Sequence, residues 1–207
     1  MIRSAIESLV SGVPLSMDVA ASVMTVIMNG EATSAQFGAF VTALRMNGET
    51  SQEIAGMARV MREKSLHVTA TGLLIDTAGT GGDNSGTFNI STTAGFVIAG
   101  AGVKVAKHGN RAASGICGSA DVLEALGVKI DLGPDSVKRC IDEVGIGFMF
   151  APIFHPAMRY AAPVRKDIGV RTVFNMLGPL TNPALVKNQL LGVADESTGE
   201  KMIEVLK

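Results

Sequence analysis

The chain is predicted to be an α/β protein, with a small all-helical N-terminal domain and a larger domain built on a parallel sheet. Three observations predict this. The first 65 residues carry helix caps and apolar residues at helical spacing. From about residue 70, short apolar segments alternate with helical ones, the signature of parallel βαβ units. Two glycine-bearing polar loops follow successive apolar segments, and in such sheets ligands bind at the carboxyl ends of strands.

In chain order, Ser16 or Asp18 caps a helix running to Asn29-Gly30. Thr33 or Ser34 caps the next, which ends at Asn47-Gly48. Thr50 or Ser51, with Glu53, starts a third. Asn-Gly suits a left-handed stop at both helix ends. Met24, Ile27, Met28, Phe37, Phe40, Val41, Leu44, Met57, Val60 and Met61 form a stripe that reads as core or as a dimer interface. Such a stripe is hard to bury within a few helices, so a homodimer through the N-terminal helices is expected. Beyond residue 70 the expected order is strand 73–78, helix 89–101, strand 103–107, helices 119–127 and 134–144, and strand 146–152. A helical stretch broken at Pro163 follows, then strand 188–193 and a last helix capped by Ser197. The domains are expected at 1–70, with 154–180 returning to it, and at 71–153 with 181–207.

Composition narrows the function. At 207 residues, 47% hydrophobic and with 24 glycines, the chain fits a packed globular protein. A net charge of −1 argues against a nucleic-acid partner, and with no Trp and one Tyr stacking on bases has little support. Two cysteines make a disulfide framework unlikely and a reduced cytoplasmic setting the expectation. The longest apolar run, 94–103, is too short to span a bilayer.

The loops carry the chemistry. Leu73-Leu74-Ile75 runs into Asp76 to Asp83, DTAGTGGD, with glycines at 79, 81 and 82. Glycines after a strand, beside a helix N-terminus, make an anion site. The spacing is neither the dinucleotide fingerprint nor a Walker loop. Asp83 would repel phosphate, but suits ribose hydroxyls or a metal-bound water. Asn89, Ser91 and Thr92 are either an ordinary cap or, through Ser91, an oxygen for Mg²⁺. Lys107-His108-Gly109-Asn110-Arg111 reads as a cationic loop. There Lys107 is a point charge for phosphate, Arg111 a fork, and Asn110 a donor and acceptor for an uncharged substrate group. Ser119 either caps the helix it opens or binds phosphate, and Asp121 in the first turn is structural. Arg165 suits either an acidic side chain across domains or a substrate carboxylate. Arg171 suits an acidic side chain across domains.

The ordered motifs DTAGTGGD, FNIST, KHGNRAAS, GSADVLEALGV and FMFAPIFHPAMRYAAPVRKDIGVRTVFNMLGPLTNPA, between Asp76 and Ala184, closely resemble those of the anthranilate phosphoribosyltransferases, enzymes of tryptophan biosynthesis. The resemblance implies the nucleoside phosphorylase/phosphoribosyltransferase type of fold. It also implies transfer of phosphoribosyl from 5-phosphoribosyl-1-pyrophosphate to anthranilate, with Mg²⁺ as cofactor. By that resemblance Gly79, Gly82, Asp83, Thr87, Asn89, Ile90, Ser91 and Thr92 hold the donor. Lys107, His108, Gly109, Asn110, Arg111, Ala112, Ala113, Ser114, Gly115 and Ser119 enclose its phosphates. Ser91 ligates Mg²⁺, and Gly79, Asn110 and Arg165 contact anthranilate. One departure is Ile116 and Cys117, where the family often has lysine and serine, which leaves backbone amides for phosphate there. The other is length: the family continues well past position 207, with an Asp-Glu metal pair shortly beyond it. Little or no transferase activity is therefore expected of this chain alone. The competing readings are a non-catalytic phosphate-binding fragment and a related nucleoside phosphorylase.

Overall fold

A computed structural model describes residues 1–81, 86–112 and 117–207 of the chain. The chain divides into two compact units: a helical unit of residues 1–64, 156–181 and 195–207, and a sheet unit of residues 65–155 and 182–194.

The helical unit opens with α1 (Ile2–Val10), α2 (Met17–Met28), α3 (Ser34–Asn47) and α4 (Ser51–Glu63). Local capping sets their starts. Of the alternative caps, Ser16 accepts from the Val19 amide, and Thr33 and Thr50 form reciprocal capping boxes with Gln36 and Glu53. Buried Glu53 also accepts the Leu15 amide at 2.8 Å, tying α4 to the residues before α2. Gly30 and Gly48 take positive φ beyond their asparagines, as helix stops require. The apolar stripe is core: Met24, Phe40, Val41, Leu44 and Met57 are fully buried within a single chain, and Ile27, Met28, Phe37, Val60 and Met61 nearly so. An interface between copies therefore cannot be built on it.

In the later part of this unit, a 3₁₀ turn (Pro156–Tyr160) precedes α9 (Ala162–Ile168), after the short α8 (Ala151–Phe154) of the sheet unit. Pro163 lies in the first turn of α9, where its missing N–H costs nothing, so it starts a helix instead of breaking one. Next come α10 (Phe174–Leu180) and α11 (Glu196–Leu206). Asp195, not Ser197, caps α11 by accepting from the Thr198 amide. Residues 195–207 group with the helices, whereas the sequence reading put 181–207 with the sheet.

The sheet unit holds β1 (Leu74–Gly79), α5 (Ile90–Gly100), β2 (Lys104–Gly109), α6 (Ser119–Ala125), α7 (Pro134–Arg139) with a π-helical turn (Cys140–Val144), β3 (Ile146–Phe150) and β4 (Asn188–Gly192). Among the described residues the strands form one parallel sheet in the order β3-β2-β1-β4. The period of two sends neighbours to opposite faces. Phe148 packs with Ala120 and Leu123 of α6 on one face. Met149 packs with Ala106, Val137, Ile141 and Phe154 on the other. Asp142 closes the unit's far end by accepting from Lys104, Lys138 and both the amide and hydroxyl of Thr71. Those donors, the Lys104 ammonium foremost, hold its carboxyl well below the usual carboxylate range.

Within the helical unit, α4 approaches α2 so closely that a Cβ on Gly56 would lie 2.2 Å from the Met17 carbonyl oxygen. Helix propensity alone favours alanine over glycine by about 1 kcal/mol. Overpacking against backbone costs about 1–3 kcal/mol, so Gly56→Ala is expected to lower the thermal midpoint. A raised midpoint in calorimetry would refute this packing.

Candidate active site

β1 and β2 end side by side, and α5 begins between them in sequence. Gly79 closes β1 opposite Gly192, and the Thr80 amide donates to the Gly192 carbonyl. Gly81 then takes positive φ. Gly82 and Asp83 lie outside the described residues, as do Ala113, Ser114, Gly115 and Ile116.

Asn89 stands at the N-cap of α5, but its side chain does not cap the helix. Its Nδ2 donates to the Cys117 carbonyl at 3.2 Å. Thr92 is buried in the first turn, and its hydroxyl has no hydrogen-bond partner among the described residues. Thr87 and Ile90 are exposed. The start of α5 thus lacks a side-chain cap, which leaves a positive dipole end for an anion.

β2 extends further than the sequence suggested. Lys107, His108 and Gly109 pair with Phe148, Met149 and Phe150 of β3, so the loop begins only at Asn110. The alternation of β2 puts Lys107 on the face that α5 covers. Lys107 is 3% exposed, and its Nζ donates to the Thr77 carbonyl and, at 3.4 Å, to Ser91 Oγ. Thr77 Oγ1 in turn donates to the Ser91 carbonyl at 2.7 Å. The ammonium therefore sits under the first turn of α5, not in an open loop. Burial lowers its pKa, and Asp76 pulls it partly back. Burial likewise raises the Asp76 carboxyl, against the pull of Asn182, Lys107, Gln189 and the His108 amide. His108, on the opposite face, lies 5.0 Å from His155 between ring centroids.

Arg111 is not a free fork. It pairs with Asp121 at 3.0 Å and Glu124 at 2.7 Å, and stacks over Phe150. Asn110 is exposed. Its side-chain oxygen accepts the Arg111 amide, and its carbonyl accepts the Ala120 amide and the Ser119 hydroxyl.

Arg165, in α9 of the helical unit, is different. Its guanidinium stacks on Phe174 at 4.9 Å, burial lowers its pKa, and no carboxylate among the described residues pairs with it. A partly buried cation with no counter-charge among the described residues suits an anionic ligand. Arg171 acts on Asp195 inside the same unit, a small addition to the Thr198 hydrogen bonds that lower that carboxyl.

A magnesium site can be tested against this geometry. No three His, Cys, Asp or Glu side chains converge among the described residues. Ser91 Oγ is a single neutral oxygen, and it neighbours an ammonium. Of the residues proposed for Mg²⁺, the described part of the chain thus shows this one neutral oxygen.

Asp76, Asn182, Gln189 and His155, which lie beneath these strand ends, are not singled out by the sequence. An aspartate within an apolar strand segment was the available signal for the first. For the others, contact over long sequence separation left none.

Two domain models of the glycosyl transferase family match the chain: the helical bundle domain over residues 3–65 and the a/b domain over residues 71–207. The chain is 62% identical over 206 residues to the anthranilate phosphoribosyltransferase of Dehalococcoides mccartyi, covering 100% of this chain and 60% of that protein. It is 64% identical over 205 residues to that of Chloroflexus aurantiacus, covering 99% and 60%. It thus spans about 60% of the length of these relatives. Among solved structures, the anthranilate phosphoribosyltransferase of Thermus thermophilus superposes with a TM-score of 0.91 at 48% identity, covering 98% of this chain and 62% of that one. The Saccharomyces cerevisiae enzyme in complex with PRPP and Mg superposes with a TM-score of 0.90 at 29% identity, covering 99% and 61%. The uncapped start of α5, the two strand ends beside it and these matches lead to one assignment: the chain belongs to the glycosyl transferase family that joins a helical bundle domain to an α/β domain.

Proposed function

We propose that the chain takes part in transferring phosphoribosyl from 5-phosphoribosyl-1-pyrophosphate to anthranilate, giving N-(5-phosphoribosyl)anthranilate and pyrophosphate. The observation that carries this reading is Arg165, a partly buried guanidinium stacked on Phe174 with no acid partner among the described residues. Anthranilate bears a carboxylate beside its reacting amine, and a planar fork matches a carboxylate. The names of the relatives, and the yeast structure with PRPP and Mg, support the same substrates.

In this reading Gly79, Gly82, Asp83, Thr87 and the turn Asn89, Ile90, Ser91 and Thr92 hold the donor. Lys107 to Gly115, with Ser119, surround its phosphates. Buried Lys107 serves as a fixed positive charge beneath the α5 dipole. The neutral amine of anthranilate displaces pyrophosphate at C1: the N–C1 bond forms, the C1–O bond breaks, and the amine proton leaves to solvent. Such a displacement depends on orientation and on dipoles aimed at the developing charges. Mg²⁺ would neutralise the departing pyrophosphate, with Ser91 as its ligand from this stretch. Both cysteines are free thiols, in keeping with a cytoplasmic setting. Binding of the donor without turnover would favour the alternative reading, a phosphate-binding module. The absence of a metal-ligand cluster among the described residues is the observation on its side.

The homodimer expected through the N-terminal helices would have to use the outer face of the helical unit. Met46 and Val10 are 82% and 71% exposed there. The helix ends that bear them are tied together, because Asn47 Nδ2 donates to the Leu9 carbonyl.

Three outcomes are expected. Lys107→Met weakens donor binding by about 1.5–3 kcal/mol, the cost of a lost charge-assisted contact, and titration calorimetry with Mg²⁺ present reads it; an unchanged Kd would remove Lys107 from the site. Arg165→Ala weakens anthranilate by a similar amount and spares the donor, while Arg165→Lys restores only part. If aniline, which lacks the carboxylate, suffers equally, Arg165 does not read that group. Val10→Glu with Met46→Glu yields monomers in light scattering at concentrations where the parent is a dimer. A parent that is itself monomeric at high micromolar concentration would rule the interface out.

A further inference from the structure

Asp121 does more than offset a helix dipole. Its Oδ2 accepts the backbone amides of both Ala112, at 2.9 Å, and Gly118, at 2.8 Å, and its Oδ1 accepts from Arg111 at 3.0 Å. One carboxylate thus gathers backbone from both sides of residues 113–116. The neighbouring contacts lead to the same place. The Asn110 carbonyl takes the Ala120 amide and the Ser119 hydroxyl. A Cβ on Gly118 would lie 2.4 Å from the Ala112 nitrogen, so only glycine lets the start of α6 come this close. Asn89 Nδ2 ties the start of α5 to the Cys117 carbonyl. The carboxyl is held below its ordinary range chiefly by the two amides, with Arg111 a lesser cause.

The geometry points to Asp121 as a positioning residue of the donor site, acting through the Ala112 and Gly118 amides to fix the backbone that carries Asn110, Ala112 and Ser119. This rests on the donor-binding reading above. Arg111 then belongs to the scaffold: its guanidinium is committed to Asp121 and Glu124 and steadies the acid that accepts the Ala112 and Gly118 amides.

Asp121→Asn tests this. The shape is kept, but one acceptor oxygen becomes an NH₂ group that cannot receive an amide. Three quantities are measured: the Kd of 5-phosphoribosyl-1-pyrophosphate with Mg²⁺, the Kd of anthranilate, and hydrogen exchange at the Ala112 and Gly118 amides. The donor is expected to weaken about tenfold or more, the size of a lost charge-assisted hydrogen bond. Anthranilate, whose carboxylate is assigned to Arg165, should weaken by less than about threefold, and both amides should exchange faster. Glu124→Gln, which removes only an outer partner of Arg111, should change the donor Kd by less than about twofold. A donor Kd unchanged in Asp121→Asn overturns the proposal. So does equal weakening of both ligands together with a lowered thermal midpoint, which would mark a merely structural role. If the parent chain binds no donor, the functional reading fails separately and amide exchange decides the clamp: unchanged exchange at Ala112 and Gly118 overturns it, and faster exchange confined to them supports it.

Discussion

The burial of the Lys107 ammonium is the constraint on which the arrangement around it depends. An isolated charge in a parallel strand costs far more than any one contact returns. Here it is met by the Thr77 carbonyl, by Ser91 Oγ and by the field of Asp76. These groups come from two segments, a strand and the helix that follows it. Thr77 and Asp76 are in β1, and Ser91 is in the first turn of α5. Satisfying one ammonium therefore fixes the strand end and the helix start together.

Burial lowers Lys107 and raises Asp76, so in both cases desolvation outweighs the mutual attraction. A buried pair of this kind adds little stability compared with apolar residues of the same volume. Its use is directional. Asp76 accepts from Gln189 of β4 and the His108 amide of β2, which flank β1 on either side, and Asn182, which also supports Asp76, donates to the Ala106 carbonyl. The polar groups beneath the site thus hold three strands in register at the ends where the glycine loops leave.

The sequence made the alternation of strands and helices legible, along with the capping boxes and the order of the polar loops, because each is local. Thr33 with Gln36 and Thr50 with Glu53 are readable at a spacing of three residues. What it could not show depends on pairing between distant segments. Lys107 looks like a loop cation until β3 is known to pair through Gly109 and Phe150. The stripe from Met24 to Met61 reads equally as core or interface until burial decides it. Pro163 looks like a break because a proline that starts a helix and one that ends it differ only in what precedes them.

Two arginines from the same sequence reading show how a site is told from its scaffold. From the sequence both read as forks for an anion. Arg111 has two carboxylates and an aromatic face already, so an incoming phosphate would have to displace Glu124 and Asp121 to engage it. Asp121 is in turn occupied by two backbone amides, which ties any such exchange to a shift of the loop itself. Arg165 has the aromatic face alone, and its desolvation is uncompensated among the described residues. An anion gains most where the protein has removed water from a cation and supplied nothing in return. On that ground the proposed function assigns the acceptor carboxylate to Arg165 and not to Arg111. The contribution of Arg111 is to the shape of the site, through the acid it steadies.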